Sequence, residues 1–175
     1  MRKKVFVIFA ISIVILFLFS VILSLFAFPK KYKNHVVAFS EEFGLQKALI
    51  YAVIKVESDF NKDAVSKSDA LGLMQILPKT AKWIAGELGE EYNRKNMFEP
   101  KTNIKFGCFY LRYLFDKFDE MDIVVCAYNA GEGKVLDWVE NGKLNREKID
   151  YNETKNYLER VEKYYGVYSN KLVNV

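Results

Sequence analysis

The pattern of apolar and polar positions divides the chain into two unequal parts. Residues 5–28, VFVIFAISIVILFLFSVILSLFAF, contain no charged side chain. As a helix that rises about 1.5 Å per residue they would extend roughly 36 Å, whereas a bilayer core is about 30 Å thick. We therefore expect residues 1–28 to be a membrane anchor with a transmembrane helix over residues 5–28, followed by a short linker at residues 29–33.

Basic residues lie on both sides of this apolar segment, so the positive-inside rule orients it only weakly. A signal peptide removed after secretion is the alternative, although its apolar part usually has about 7–15 residues. Ile22-Leu23-Ser24 is the one weak cleavage candidate. In both cases we expect residues 29–175 to lie outside the cytoplasm, either tethered by a single membrane pass or secreted.

The rest of the chain has helical periodicity, and no segment alternates with a period of two. Pro78 and Pro100 suit first helical positions, and Gly44 and Gly131 suit positions just beyond helix ends. Apolar residues recur at helical spacing from Ile104 to Phe118. The expected helices span residues 34–43, 45–57, 78–88, 100–118, 121–130, 135–141 and 152–168. We predict one mainly α domain over residues 34–175, with a polar loop over residues 61–71.

Charge and cysteine content exclude several classes of function. The formal charge is +4, and residues 1–28 contribute three basic and no acidic side chains, which leaves 23 basic against 22 acidic. A net charge of +1 does not attract polyanions strongly, so we expect no nucleic-acid partner. Cys108 and Cys126 both lie in apolar series, which favours buried free thiols over a disulfide. The sequence indicates neither a metal site nor an organic cofactor, and it identifies no protein partner.

Glu57 is the first candidate for chemistry. It follows Leu49, Ile50, Val53 and Ile54, which share its face of the helix predicted at residues 45–57. A carboxyl above aliphatic neighbours is partly desolvated, which raises its pKa towards the range that a general acid needs near neutrality. By itself, the pattern also fits an exposed acid where the helix ends.

Three further segments contain candidate polar or aromatic side chains. GLMQIL at residues 72–77 includes Gln75, whose amide offers both a donor and an acceptor. AYNAG at residues 127–131 places Tyr128 and Asn129 at a helix end, and Tyr157 lies on an aromatic stripe of the last helix. Separately, these segments also fit an ordinary turn, a helix terminator and a core aromatic.

Taken together and in order, five segments are far more specific than any one of them. ESDF, GLMQILPKTA, NIKFGCFYL, AYNAGEG and ETKNYLERV resemble the catalytic domain of the soluble lytic transglycosylase family. The resemblance spans roughly residues 43–165 and implies a mainly α, lysozyme-like helical domain. It also implies cleavage of the β-1,4 bond between N-acetylmuramic acid and N-acetylglucosamine in peptidoglycan.

The resemblance also assigns roles to single residues. Glu57 corresponds to the family's sole catalytic acid and base. The substrate-binding residues it implies are Ser66, Gln75, Tyr128, Asn129 and Tyr157. Leu77 replaces a methionine that some relatives have along the groove, and it keeps the apolar character.

In this family the substrate is thought to replace a second protein carboxylate. The 6-hydroxyl of the muramic acid, deprotonated by the catalytic glutamate, attacks its own anomeric carbon and forms a 1,6-anhydro end. Asp59 is expected to point away from Glu57, about 200° around a continuing helix. Asp63 and Asp69 leave open a hydrolase similar to goose-type lysozyme. A catalytically inactive peptidoglycan-binding protein and a helical membrane adaptor are the remaining alternatives.

Overall fold

The computed structural model describes residues 11–19, 28–142, 144 and 152–173. The chain divides into two compact units, Met1–Lys31 and Tyr32–Val175. Residues 11–19 are helical. Among the described residues, no helix combines the length and apolar content needed to cross a membrane. The transmembrane helix expected over residues 5–28 lies mostly outside the described residues and stays a prediction.

The second unit is built from seven α-helices and one 3₁₀ helix within its described part. The α-helices are α1 (Lys33–Glu42), α2 (Lys47–Ser58), α3 (Pro78–Glu87), α4 (Pro100–Phe118), α5 (Met121–Ala130), α6 (Glu132–Glu140) and α7 (Asn152–Val173). The 3₁₀ helix is Arg94–Phe98. Residues 61–77 contain only isolated bridges, Val65 to Leu71 and Leu71 to Ile76. The mainly α fold predicted from the sequence is confirmed.

The central element is α2, which is buried on most faces. It packs against α1 and α7, and α5 packs against α4, α6 and α7. Tyr51 of α2 stacks on Tyr168 of α7, with ring centroids 5.1 Å apart. This packing brings the C-terminal end of α2, which carries Glu57, against the N-terminal half of α7, which carries Tyr157.

Two predicted bounds were wrong by three residues or more, and one element was missed. The helix expected at residues 135–141 begins at Glu132, directly after Gly131, and the last helix continues beyond residue 168 to Val173. The 3₁₀ helix at Arg94–Phe98 was missed because five residues are too few to produce a periodic pattern. Cys108 and Cys126 are buried free thiols, as predicted.

Candidate active site

Glu57 lies in the last turn of α2, where the helix ends abruptly. Asp59 and Phe60 both adopt left-handed conformations, with φ of 50° and 64°. The Ser58 hydroxyl donates to the carbonyls of Ile54 (3.2 Å) and Leu73 (2.7 Å). The serine next to the acid therefore joins the end of α2 to the turn that contains the GLMQ segment.

The Glu57 carboxyl is surrounded mainly by protein. The Tyr157 hydroxyl donates a 2.6 Å hydrogen bond to Oε1 of Glu57. Burial raises the pKa of Glu57 to about 7, while the Tyr157 hydrogen bond and the positive charge of Arg160 act in the opposite direction. The direction agrees with the rise in pKa expected from desolvation, and a pKa in this range lets the carboxyl both donate and accept a proton near neutral pH.

The turn opposite Glu57 is fixed by Asn103, a fully buried residue of α4. Its Oδ1 accepts from the Met74 amide (2.7 Å), and its Nδ2 donates to the carbonyls of Leu71 and Met97 (2.8 Å each). Gly72 has φ +73°, and a Cβ there would lie 2.4 Å from Asn103 Nδ2. Only glycine fits this approach of the turn to α4.

Gln75 protrudes from the same turn with φ 48°, an uncommon conformation for a side chain larger than glycine. Its Nε2 donates to the carbonyls of Gly72 (2.8 Å) and Ala64 (3.2 Å). An amide has only two N–H donors, so both are used within the protein. Oε1 remains as the group of Gln75 that can accept a hydrogen bond from a ligand.

Ser66 lies in the polar loop that forms one wall of the site. Its Oγ accepts from the Ala70 amide (3.0 Å), which leaves its own hydroxyl proton for another partner. Arg94 of the 3₁₀ helix binds both carboxylate oxygens of Asp69, at 2.7 and 2.5 Å. This exposed ion pair joins the loop to the 3₁₀ helix and lowers the pKa of Asp69.

The other wall is formed by the C-terminal end of α5 and the start of α7. The Tyr128 hydroxyl donates to the Met74 carbonyl (2.9 Å), so Tyr128 connects α5 to the GLMQ turn. Thr154 of α7 donates to Oδ1 of Asn129 (3.1 Å), which directs the donors of the Asn129 amide elsewhere. These bonds orient both residues of the AYNAG segment at the site.

A cavity of about 410 Å³ opens between these walls. Five of the six residues predicted for the site line it: Glu57, Ser66, Gln75, Tyr128 and Asn129. The sixth, Tyr157, reaches the site through its hydrogen bond to Glu57. Leu77, Thr80, Tyr110 and Glu153 also line the cavity. The six residues predicted from separate segments are thus brought together around one carboxyl.

The three aspartates after Glu57 do not line this cavity. All three are exposed, and each pairs with a cation: Asp59 with Lys55, Asp63 with Lys62 and Asp69 with Arg94. Within the described part of the chain, no group of three or more His, Cys, Asp or Glu side chains could bind a metal ion. Among the residues that line the cavity, Glu57 and Glu153 are the two with carboxyl groups.

Comparison with known proteins agrees with this geometry. The family described as Transglycosylase SLT domain matches residues 36–152. The chain belongs to this family. The Membrane-bound lytic murein transglycosylase C of Shigella sonnei is 38% identical over 130 residues, which are 68% of this chain and 36% of that protein.

Solved structures confirm the lysozyme-like helical fold of the SLT domain. An inactive mutant of lytic transglycosylase Slt from Pseudomonas aeruginosa superposes with a TM-score of 0.77 at 30% identity. The 70 kDa soluble lytic transglycosylase of Escherichia coli gives a TM-score of 0.77 at 29% identity. Each comparison covers 83% of this chain and 25% of the other chain. The chain thus spans about a quarter to a third of the length of these relatives.

Reasoning from the sequence missed three residues at or beside the site. Asn103 is a polar residue at the start of a helix, and its pattern does not reveal that it is buried. Glu153 and Arg160 lie in the ETKNYLERV segment, and both resemble the solvated charges of an exposed helix face. The one available signal was the spacing of Arg160, three residues after Tyr157, which places both on one face of α7.

Proposed function

We propose that this SLT domain is a peptidoglycan lytic transglycosylase that cleaves the β-1,4 bond between N-acetylmuramic acid and N-acetylglucosamine. One observation carries the proposal: a carboxyl with a pKa of about 7 lines a cavity and accepts a hydrogen bond from Tyr157. The names of the relatives, all lytic murein transglycosylases, support the substrate class.

In the proposed reaction, protonated Glu57 donates its proton to the glycosidic oxygen, and the bond from that oxygen to the anomeric carbon of the muramic acid breaks. N-acetylglucosamine leaves with a free 4-hydroxyl. The 2-acetamido oxygen of the muramic acid stabilises the anomeric carbon. The Glu57 carboxylate then accepts the proton of the 6-hydroxyl, whose oxygen attacks that carbon. A 1,6-anhydro end forms, no water is consumed, and Glu57 is again protonated.

Burial suits Glu57 to both steps, because a pKa near the working pH allows the same group to donate and then accept a proton. Tyr157 would stabilise the carboxylate formed after the first step. Ser66 has a proton to donate and Gln75 Oε1 can accept, so these two groups would bind substrate hydroxyl and acetamido groups. The attacking hydroxyl belongs to the bound sugar, and such intramolecular groups act at large effective concentration.

A hydrolase is the second candidate, and Glu153 is the observation that favours it. Glu153 lines the same cavity as Glu57, and a second carboxylate could activate a water as in most glycosidases. Asp63 and Asp69, which the sequence left as candidates for this role, lie outside the cavity lining and pair with Lys62 and Arg94.

Mass spectrometry of the fragments released from purified peptidoglycan separates the two reactions. A transglycosylase produces 1,6-anhydro ends, which are one water lighter than the reducing ends made by a hydrolase. We expect the full chain to release anhydro ends, Glu153→Gln to release the same ends, and Glu57→Gln to release almost nothing. Reducing ends from the full chain that vanish in Glu153→Gln would establish the hydrolase instead. Binding without release by the full chain would indicate an inactive peptidoglycan-binding protein.

We also propose that residues 5–28 anchor the chain in a membrane with the SLT domain on the extracytoplasmic side. The charge-free apolar sequence supports this placement, as does the relative named membrane-bound. The full chain should stay in the membrane fraction after alkaline carbonate extraction. A soluble product that lacks residues 1–28 by N-terminal sequencing would identify the segment as a cleaved signal.

A further inference from the structure

Arg160 of α7 contacts the element that carries Glu57. Its Nη2 donates to the Val56 carbonyl at 3.1 Å. Val56 directly precedes Glu57 in the last turn of α2, where carbonyl groups lack intrahelical partners. A cation also interacts favourably with the negative end of a helix dipole. The contact therefore joins the backbone beside the catalytic candidate to α7.

The same face of α7 contacts Glu57 a second time. Tyr157 lies three residues before Arg160, on the same face of the helix, and its hydroxyl donates to the Glu57 carboxyl. Two adjacent side chains of α7 thus act on one turn of α2, one at the carboxyl and one at the backbone. A change at either side chain should reach Glu57 without altering the cavity lining.

We propose that Arg160 is a positioning residue for Glu57: it fixes the last turn of α2 against α7 and places a permanent positive charge beside the carboxyl. The inference deepens the proposed function and rests on it for its effect on the reaction. Arg160 does not line the cavity, so it would act through Glu57 and not by contact with the substrate.

The charges around Glu57 show why Arg160 matters. Tyr157 and Arg160 approach from α7, Tyr128 approaches from α5, and Glu153 lines the same cavity from the start of α7. On α2 itself, Lys55 and Asp59 pair with each other. The pKa values of Tyr128 and Tyr157 are raised well above 10 by burial, so both hydroxyls stay neutral. Arg160 is therefore the cation that opposes the desolvation of Glu57.

The direction in which loss of the Arg160 charge shifts the pKa of Glu57 follows from the fact that Glu57 is an acid. A positive charge favours the carboxylate, so its removal raises the pKa of Glu57 and keeps the acid protonated to higher pH. Because Arg160 is exposed, solvent screens its charge, and we expect the upward shift in the pKa of Glu57 to be small.

Three full-length variants test the proposal through the pH dependence of glycan release. Arg160→Gln keeps an N–H donor and loses the charge, and its alkaline limb should move to higher pH. Arg160→Lys keeps the charge, so its limb should stay near that of the unchanged protein. Lys163→Gln removes an exposed charge one turn further along α7 and is the matched control. A profile of Arg160→Gln that superposes on that of Lys163→Gln would overturn the proposal.

A second readout does not require activity. The ¹³C signal of the Glu57 side-chain carboxyl, assigned by its loss in Glu57→Gln, should titrate at higher pH in Arg160→Gln than in the unchanged chain or in Arg160→Lys. Equal titration in all three chains would overturn the inference even if the enzyme is active. If the expected difference appears but the unchanged chain releases no glycan, the proposed function fails and the positioning role of Arg160 stands. If Arg160→Gln does not fold, the comparison uses Arg160→Lys and Lys163→Gln. The titration midpoint of Glu57 should then be the same in both variants as in the unchanged chain, and a shifted midpoint in Arg160→Lys would overturn the proposal.

Discussion

Glu57 and the three aspartates that follow it lie close together in sequence but in different surroundings. Glu57 is desolvated, accepts a hydrogen bond from Tyr157 and has a pKa of about 7. Asp59, Asp63 and Asp69 are exposed, and each pairs with a lysine or an arginine. The abrupt end of α2 accounts for this difference: the last helical turn places Glu57 at the cavity, whereas the three aspartates beyond it face solvent.

The largest expected effect separates Glu57 from the loop aspartates by activity. Glu57→Gln removes the proton donor and preserves the shape, so glycan release should fall by about 10²- to 10⁴-fold. Asp63→Asn, the matched control, removes a carboxylate that has only an exposed ion pair and should change the rate by less than about twofold. The initial rate of turbidity loss of purified peptidoglycan measures both. Equal losses in the two variants would remove the distinction between the two regions.

A smaller effect is expected when the carboxyl stays and its hydrogen bond is removed. Tyr157→Phe should slow glycan release by about tenfold, because a hydrogen bond to a charged group contributes roughly 1.5 kcal/mol to the carboxylate formed after proton transfer. The alkaline limb should also move to higher pH, because the Tyr157 hydrogen bond lowers the pKa of Glu57.

The matched control is Tyr165→Phe. Tyr165 lies on the same helix, and its hydroxyl donates to Gln46 outside the cavity lining. Its pH–rate profile should match that of the unchanged chain. If both tyrosine variants shift the profile equally, the effect belongs to α7 packing and not to the contact with Glu57.

The smallest effect is expected at the exposed pair of Asp69 and Arg94. Arg94 lowers the pKa of Asp69, so any stabilisation is present above the usual pKa of an aspartate and is lost as the pH falls through the lowered value. Asp69→Asn should lower the melting temperature only slightly at neutral pH, and the difference should shrink in high salt. Thermal unfolding followed by circular dichroism checks this. A large, salt-insensitive loss would mean that the loop contributes much more to the fold than an exposed pair can.

The sequence predicted helix bounds best where a proline or glycine at a helix end agrees with the periodicity of the apolar residues. Pro100 and the apolar stripe defined α4, and Gly131 defined the end of α5, so both helices have the predicted bounds. The start of α6 was missed because Gly131 and Gly133 flank its first residue, and glycines argue locally against a helix.

At the site, the sequence predicted which residues meet but not how their hydrogen bonds are used. A motif identifies Gln75 as polar, yet only the fold reveals that the carbonyls of Ala64 and Gly72 take both of its donors. The same holds for Asn103 and Arg160, whose partners come from other elements of the chain. Such tertiary contacts leave no local pattern to read.

The proposed reaction depends on burial raising the pKa of the Glu57 carboxyl, so that part of it is protonated at neutral pH. The direct test of this rise is the ¹³C titration of that carboxyl in the unchanged full chain, followed between about pH 3 and 9 so that ordinary and shifted carboxyls are both covered. We expect a midpoint at about 7, well above the ordinary value of 4.5. A midpoint near 4.5 would contradict it, because Glu57 would then be ionised at neutral pH with no proton to donate.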